Sequence, residues 1–418
     1  LGLALVGLGP FIDQMVEGVV FSDLPRLMAL LAVLAFVGAV GLTIVWARGR
    51  PVADGAPAPG RRRFLVGGAS VVGGSLATLA AALVRPGGWV TRTGPALGPD
   101  TPKQAASPRA EWKGARVKEY RRLGRTGVEV SDISLGSTRI RGEHGERVAR
   151  EAIERGVNYF DTAPDYAETG SEIALGRAMK GVRDQMFVAT KFCTPTGHLG
   201  AGSSVEEYMG VVEASLKRLQ TDYVDLVHIH SCNSLDRLLD PNVHEAFDRL
   251  KEQGKARFLG FSSHTPELEA VTRAALDDGR IDVMMLAYHH GAWPQLATLI
   301  DQAAAKDVGV VAMKTLKGAK HRGLLDFRPE ADSYTQAAFK WVLANPSVHA
   351  LVISFAEFEQ VYEYLHASGG KLTDADLAVL ERYDELMAGT HCRQHCGVCL
   401  SSCPESLPID DVLRYRMY

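Results

Sequence analysis

Between Tyr120 and Leu365 the sequence keeps changing texture at a regular interval. Short runs rich in β-branched and aromatic residues occur at Ile133–Gly136, Val157–Phe160, Met186–Lys191, Val224–His230, Ala256–Ser262, Val283–His289, Val308–Lys314 and Ala350–Ser354. Amphipathic helical patterns such as Ser204–Leu219, Val243–Gln253, Glu267–Leu276 and Tyr334–Leu343 lie between them. Strand followed by helix, eight times over, predicts an α/β fold of the (β/α)8 TIM-barrel type. A doubly wound sheet is the alternative, but no Gly-x-Gly-x-x-Gly follows the first run. Tyr120–Leu123 and Val128–Val130 flank Arg125-Thr126-Gly127, a hairpin suited to closing the barrel floor.

The rest of the 418 residues divides around that repeat. Residues 27–47 are apolar, uncharged and bracketed by Arg26 and Arg48, long enough to span a bilayer. A second, milder apolar run at 61–84 opens with Arg61-Arg62-Arg63-Phe64-Leu65 and resembles a twin-arginine export signal, with an ordinary second transmembrane helix as the plainer reading. Residues 1–84 are therefore expected to be a membrane segment, 85–118 a Pro/Gly-rich linker, 119–370 the barrel, and 371–418 a C-terminal helix with a cysteine motif. Arginines crowd the loop between the two apolar runs, which places that loop in the cytoplasm and the barrel outside it. A membrane-anchored, extracytoplasmic domain is the expectation, with the opposite insertion as the alternative. The net charge of −3 and the lack of a basic stripe argue against nucleic acid as a partner.

In a barrel of this kind the C-terminal ends of the strands converge on one site. Asp161, Lys191 and His230 end three consecutive runs, and Tyr166 stands in the loop after the first. Any one of them has a bland reading, but four titratable groups at neighbouring strand ends point to acid–base chemistry. The set suits reduction of a carbonyl. A free tyrosine, with a pKa near 10, is a reluctant donor. A lysine cation beside it is expected to lower that value, with the aspartate holding the lysine. The histidine orients the carbonyl or shares the proton. His228, on the same strand face, reads as a core residue.

NYFDTAPDYAETGSEIALG, VATKF, DYVDLVHIH, LGFSS and the entry hairpin YRRLGRTGVEVS resemble the aldo–keto reductases across about Tyr120–Leu365. The resemblance implies NADP(H)-dependent reduction of a small aldehyde or ketone, with the family's tetrad falling on Asp161, Tyr166, Lys191 and His230. Ser262 stands where the family holds the nicotinamide carboxamide, and Ser263 replaces the Asn that usually follows. Met285 and His289 stand in place of a Gln and an Asn. Glu357 lies near where a basic residue would meet the 2′-phosphate, and an acidic group there repels phosphate, so NAD(H) is the alternative cofactor. The family also includes non-catalytic, nucleotide-binding subunits of membrane complexes that respond to redox state, the rival reading here.

Four of the six cysteines form Cys392-x3-Cys396-x2-Cys399-x3-Cys403-Pro404. The run resembles the bacterial ferredoxin pattern with one extra residue in the first gap, and implies a 4Fe-4S cluster and an electron-transfer partner. Zinc or two disulfides are the alternatives. The other two, Cys193 and Cys232, each lie two residues beyond a tetrad position. Strands in register would bring these thiols together at the barrel mouth as a disulfide or redox pair; unrelated loop cysteines are the plainer reading.

Overall fold

The computed structural model describes residues 109–264, 267–316 and 333–387. The stretches 27–47 and 61–84, the linker before residue 109, and Cys392, Cys396, Cys399 and Cys403 lie outside the described residues. Among the described residues no helix is long and apolar enough to cross a membrane.

The chain enters through an antiparallel hairpin, β1 (Tyr120–Arg122) and β2 (Glu129–Ser131). Eight parallel strands follow: β3 (Ile133–Gly136), β4 (Tyr159–Asp161), β5 (Phe187–Thr194), β7 (Val224–Ile229), β8 (Ala256–Ser263), β9 (Val283–Ala287), β10 (Gly309–Met313) and β11 (Ala350–Ser354). Between the third and fourth of them, β6 (Gly197–His198) folds back antiparallel on β5. Each barrel strand pairs with the next, and β11 pairs with β3, so the sheet closes with no free edge. Two strands, β3 and β11, match the sequence expectation at both ends, and the others differ by a few terminal residues. The predicted barrel is the observed one.

Outside it run α1 (Gly142–Glu154), α2 (Gly170–Ala178), α3 (Val205–Leu219), α4 (Leu235–Leu238), α5 (Pro241–Glu252), α6 (Leu268–Asp278), α7 (Pro294–Ala305), α8 (Tyr334–Leu343), α9 (Phe358–His366) and α10 (Asp374–Met387). Local chemistry sets their starts. Ser204 caps α3 reciprocally: its Oγ accepts from Glu207 N at 3.2 Å, and Glu207 Oε2 accepts from Ser204 N at 2.7 Å. Helix α5 begins two residues before its apolar pattern does. Asp240 Oδ1 accepts from Asn242 N at 2.9 Å, and Pro241 fits the first turn, where its missing N–H costs nothing.

Strand alternation divides the core in two. Phe160, Val188, Phe192, Val227, Leu259 and Phe261 face the helices in one cluster. Tyr159, Phe187, Ala189, Leu226, Met285 and Val311 fill the barrel interior, and Leu123 and Val130 of the hairpin plug its floor. With the floor closed, the C-terminal mouth is the open end. Part of the expected linker also belongs to the packed body. Residues Ala110–Gly114 form a 3-10 turn with Trp112 buried, and Arg155 of the α1 C-terminus donates to Lys113 O at 2.9 Å and Ala115 O at 2.6 Å.

Candidate active site

The alternation that puts Tyr159 inside the barrel also turns Asp161 inward at the end of β4. Likewise Phe187 and Ala189 lead to Lys191 on β5, and Leu226 leads to His228 on β7 and to His230 just after it. Asp161 and Lys191 meet as a buried ion pair. Lys191 Nζ donates to Asp161 Oδ1 and Oδ2, both at 2.7 Å, and to Thr162 O at 2.8 Å. Three acceptors satisfy all three protons of the ammonium.

The partners behind this pair hold it in place. Ser137 Oγ donates to Asp161 O at 2.8 Å, and Ser171 Oγ lies 2.5 Å from Ser137 Oγ and 2.8 Å from Thr162 Oγ1. Glu172, fully buried at the start of α2, accepts from Thr190 Oγ1 at 2.7 Å and from Arg218 Nε at 2.6 Å. That ties α2 and α3 to β5 one residue before Lys191.

Tyr166 packs against both partners, its ring centroid 4.7 Å from Lys191 Nζ and 5.8 Å, edge-on, from the His230 ring. Three consecutive left-handed residues follow it, Ala167, Glu168 and Thr169, with φ of 49, 53 and 72°. Ser231, directly after His230, has φ 49°, and Lys314, directly after β10, has φ 58°. Such conformations cost on the order of 1–3 kcal/mol each in a non-glycine residue, and they gather here around the mouth.

Burial dominates the electrostatics. It pushes the Tyr166 phenol up to about 12, because desolvation of the phenolate outweighs the Lys191 cation. The expectation that the lysine lowers this pKa is thus right for its own contribution and wrong for the sum. Burial works against the Lys191 cation too, but Asp161 and Tyr166 outweigh it and hold the lysine protonated above its ordinary range. Burial first, then Lys191 and the neighbouring histidines, keeps His230 neutral.

The remaining candidates spread around the mouth. Ser262 lies on the inner face of β8 and accepts from Ser231 N at 2.9 Å, which leaves its own O–H to donate. Ser263 follows on the alternate side, opposite Leu286, a residue of the outer cluster. Met285 belongs to the barrel interior, and His289 Nδ1 lies 2.9 Å from His290 O. Cys193 and Cys232 are both free and both buried. The register explains why they do not meet: Lys191 pairs with His228 rather than His230, so Cys193 falls level with His230 and Cys232 lies further along. Two neighbours escaped the sequence reading. Asp165, the residue before Tyr166, and His198, brought over by the β5–β6 hairpin, both approach His230. The Pro164-Asp165-Tyr166 turn and the Gly197 hairpin were visible, but only folding shows where they aim.

Residues 132–332 match the model of the aldo/keto reductase family. The barrel is of the aldo/keto reductase type. It is an oxidoreductase domain. L-galactose dehydrogenase of Arabidopsis thaliana is 29% identical over 282 residues, 60% of this chain and 88% of that protein. L-glyceraldehyde 3-phosphate reductase of Escherichia coli is 23% identical over 303 residues, 60% of this chain and 87% of that protein. The solved structure of an aldo-keto reductase from Bacillus halodurans in its holo form superposes with a TM-score of 0.54 at 24% identity, covering 63% of this chain and 96% of that one. That likeness carries the fold.

Proposed function

We propose that this aldo/keto reductase barrel reduces a small aldehyde or ketone, with Tyr166 as the proton donor. The observation that carries the reading is the packing of Tyr166 between a fully compensated Lys191–Asp161 pair and a neutral His230. A phenol pushed up to about 12 keeps its proton at neutral pH, and it is still a far stronger acid than the alcohol that forms. The proton therefore moves downhill from Tyr166 Oη to the nascent alkoxide. Lys191, held by Asp161, stabilises the phenolate left behind. Neutral His230 is suited to donating a hydrogen bond to the carbonyl oxygen without competing for the proton.

A nicotinamide cofactor supplies the hydride when bound. The inward hydroxyl of Ser262, with an unspent O–H, fits the carboxamide end, with Ser263 beside it on the chain. The other end fits a ribose better than a phosphate. Gln360 Oε1 already accepts from Ala356 N at 2.7 Å and Glu357 N at 3.2 Å, so two backbone donors after β11 are taken. The Glu357 carboxylate stands there too, 3.2 Å from His144 Nε2. NADH is the proposed cofactor, in preference to NADPH.

From the sequence we further propose that the barrel is tethered to a membrane through residues 1–84 and carries a 4Fe-4S cluster on Cys392, Cys396, Cys399 and Cys403, with an electron-transfer partner. The test is anaerobic purification of the full chain with iron and sulfide analysis and separate NADH and NADPH titrations on one sample. About four irons per chain and tighter NADH binding are expected. Absence of iron sinks the cluster, and absence of nicotinamide binding sinks the hydride source.

A further inference from the structure

A second set of side chains, which shares His230 with the four groups just described, meets at the mouth. Asp165, Cys193 and His230 each bring one ligand atom to within 4.8 Å of the other two. They come from three elements: the loop after β4, the end of β5 and the residue after β7. The β5–β7 register that separates Cys193 from Cys232 is what sets Cys193 level with His230.

Two of the three residues have an unsatisfied buried atom here. Asp165 Oδ1 and His230 Nδ1 are both buried without a hydrogen-bond partner. His230 is 8% exposed, and its Nδ1 lies 3.7 Å from Asp165 Oδ2, too far for a hydrogen bond. Either tautomer of a neutral imidazole is poorly served. If Nδ1 carries the proton, a buried donor stops short of a carboxylate; if it carries the lone pair, two acceptors face each other. A cation between them turns the second arrangement from a cost into coordination.

We propose that Asp165, Cys193 and His230 form a binding site for a soft divalent cation of the zinc class. Carboxylate oxygen, thiolate and imidazole nitrogen are the ligand types such an ion takes. His198 closes the set on the solvent side: its Nε2 lies 3.7 Å from Asp165 Oδ2 and its ring 4.3 Å from that of His230. Ligand bonds of about 2.0–2.3 Å put tetrahedral ligand atoms about 3.3–3.8 Å apart, so the site contracts by about 1 Å at its widest. Cys193 binds as thiolate, and its proton leaves to solvent. Asp165 and that thiolate balance the dication. The nearby Lys191 cation is already matched by Asp161 and adds no uncompensated charge.

A cation on His230 sits beside Tyr166 at the substrate end, so the loaded enzyme turns over more slowly. That consequence rests on the proposed reductase chemistry; the binding itself does not. The test is a zinc titration of the full, reduced, metal-stripped chain by calorimetry, comparing wild type with Cys193→Ser and Asp165→Asn. Any zinc taken by the C-terminal cysteines is the same in all three and cancels in the difference. Wild type is expected to bind one more equivalent, or the same equivalent at least tenfold more tightly. Asp165→Asn, a half-buried and near-isosteric change, keeps the test open if Cys193→Ser fails to fold. Equal stoichiometry and affinity in wild type and Asp165→Asn would overturn the site. Zinc that binds but leaves carbonyl turnover unchanged would overturn its position against Tyr166. A chain that reduces no carbonyl would sink the reductase reading while leaving the binding result intact.

Discussion

Lys191 Nζ spans both carboxylate oxygens of Asp161 at 2.7 Å, with Lys191 1% and Asp161 3% exposed. Neither charge has water to fall back on, so each depends on the other. Asp161→Asn leaves an ammonium buried against the Thr162 carbonyl, the Tyr166 phenol and a neutral amide, with no carboxylate to balance it. A loss of about 3–5 kcal/mol is expected in denaturant unfolding. Removing both charges in Asp161→Asn/Lys191→Met is expected to recover part of that loss. A double variant less stable than Asp161→Asn would contradict this account.

Tyr166→Phe deletes the proposed donor while keeping the ring that packs on Lys191 and His230. kcat is expected to fall by about 10²- to 10⁴-fold, with KM and Tm close to wild type. Steady-state kinetics beside a thermal melt separate this from misfolding. Retention of more than a tenth of wild-type kcat excludes Tyr166 as donor.

The pH dependence follows from two groups shifted in opposite directions. Burial raises Tyr166 from 10.0 to about 12, so the folded chain keeps a proton that the unfolded chain has lost. This stabilisation is complete below pH 10 and disappears as pH rises toward about 12. kcat/KM is accordingly flat from pH 7 to about 9, well below the phenol's titration range. Burial lowers His228 and His230, whose stabilisation is present above the ordinary histidine pKa of 6.5 and is lost as pH falls below it. The slope reaches up to about 1.4 kcal/mol per pH unit for each histidine. Denaturant unfolding at pH 7, 6 and 5 measures it.

Glu357→Arg exchanges the carboxylate after β11 for a phosphate partner. The ratio of kcat/KM for NADPH to that for NADH is expected to rise by about tenfold or more, as one charge-assisted contact replaces one repulsion. An unchanged ratio removes Glu357 from cofactor selection.

Gly260 stands where His228 needs room. A Cβ there would lie 2.6 Å from His228 Nδ1 and 2.6 Å from Val283 O. Gly260→Ala is expected to cost about 1–3 kcal/mol, since backbone on one side and a buried ring on the other cannot both yield. Unfolding free energy and the His228 ring resonances report it together.

The strand positions were legible because a buried parallel strand bounded by turns carries its own signature in composition, wherever it lies in the fold. Ile133–Gly136 and Ala350–Ser354 were readable from their residues alone, and alternation from Tyr159 to Asp161 fixed which side chains turn inward. Asp161, Tyr166, Lys191 and His230 were also readable as a group, because (β/α)8 topology sends the ends of neighbouring strands to one face. Register and solvation were not. Whether Lys191 sits beside His228 or His230 depends on how the closed barrel shears, a property of all its strands together. That offset parted Cys193 from Cys232 and set Cys193 beside His230 and Asp165. The pKa of Tyr166 likewise depends on how much water the assembled mouth excludes, and there desolvation outweighed the lysine that the sequence had placed beside it. Sequence determined which chemical groups line the mouth; only the closed, dry barrel decided which of them touch and which keep their protons.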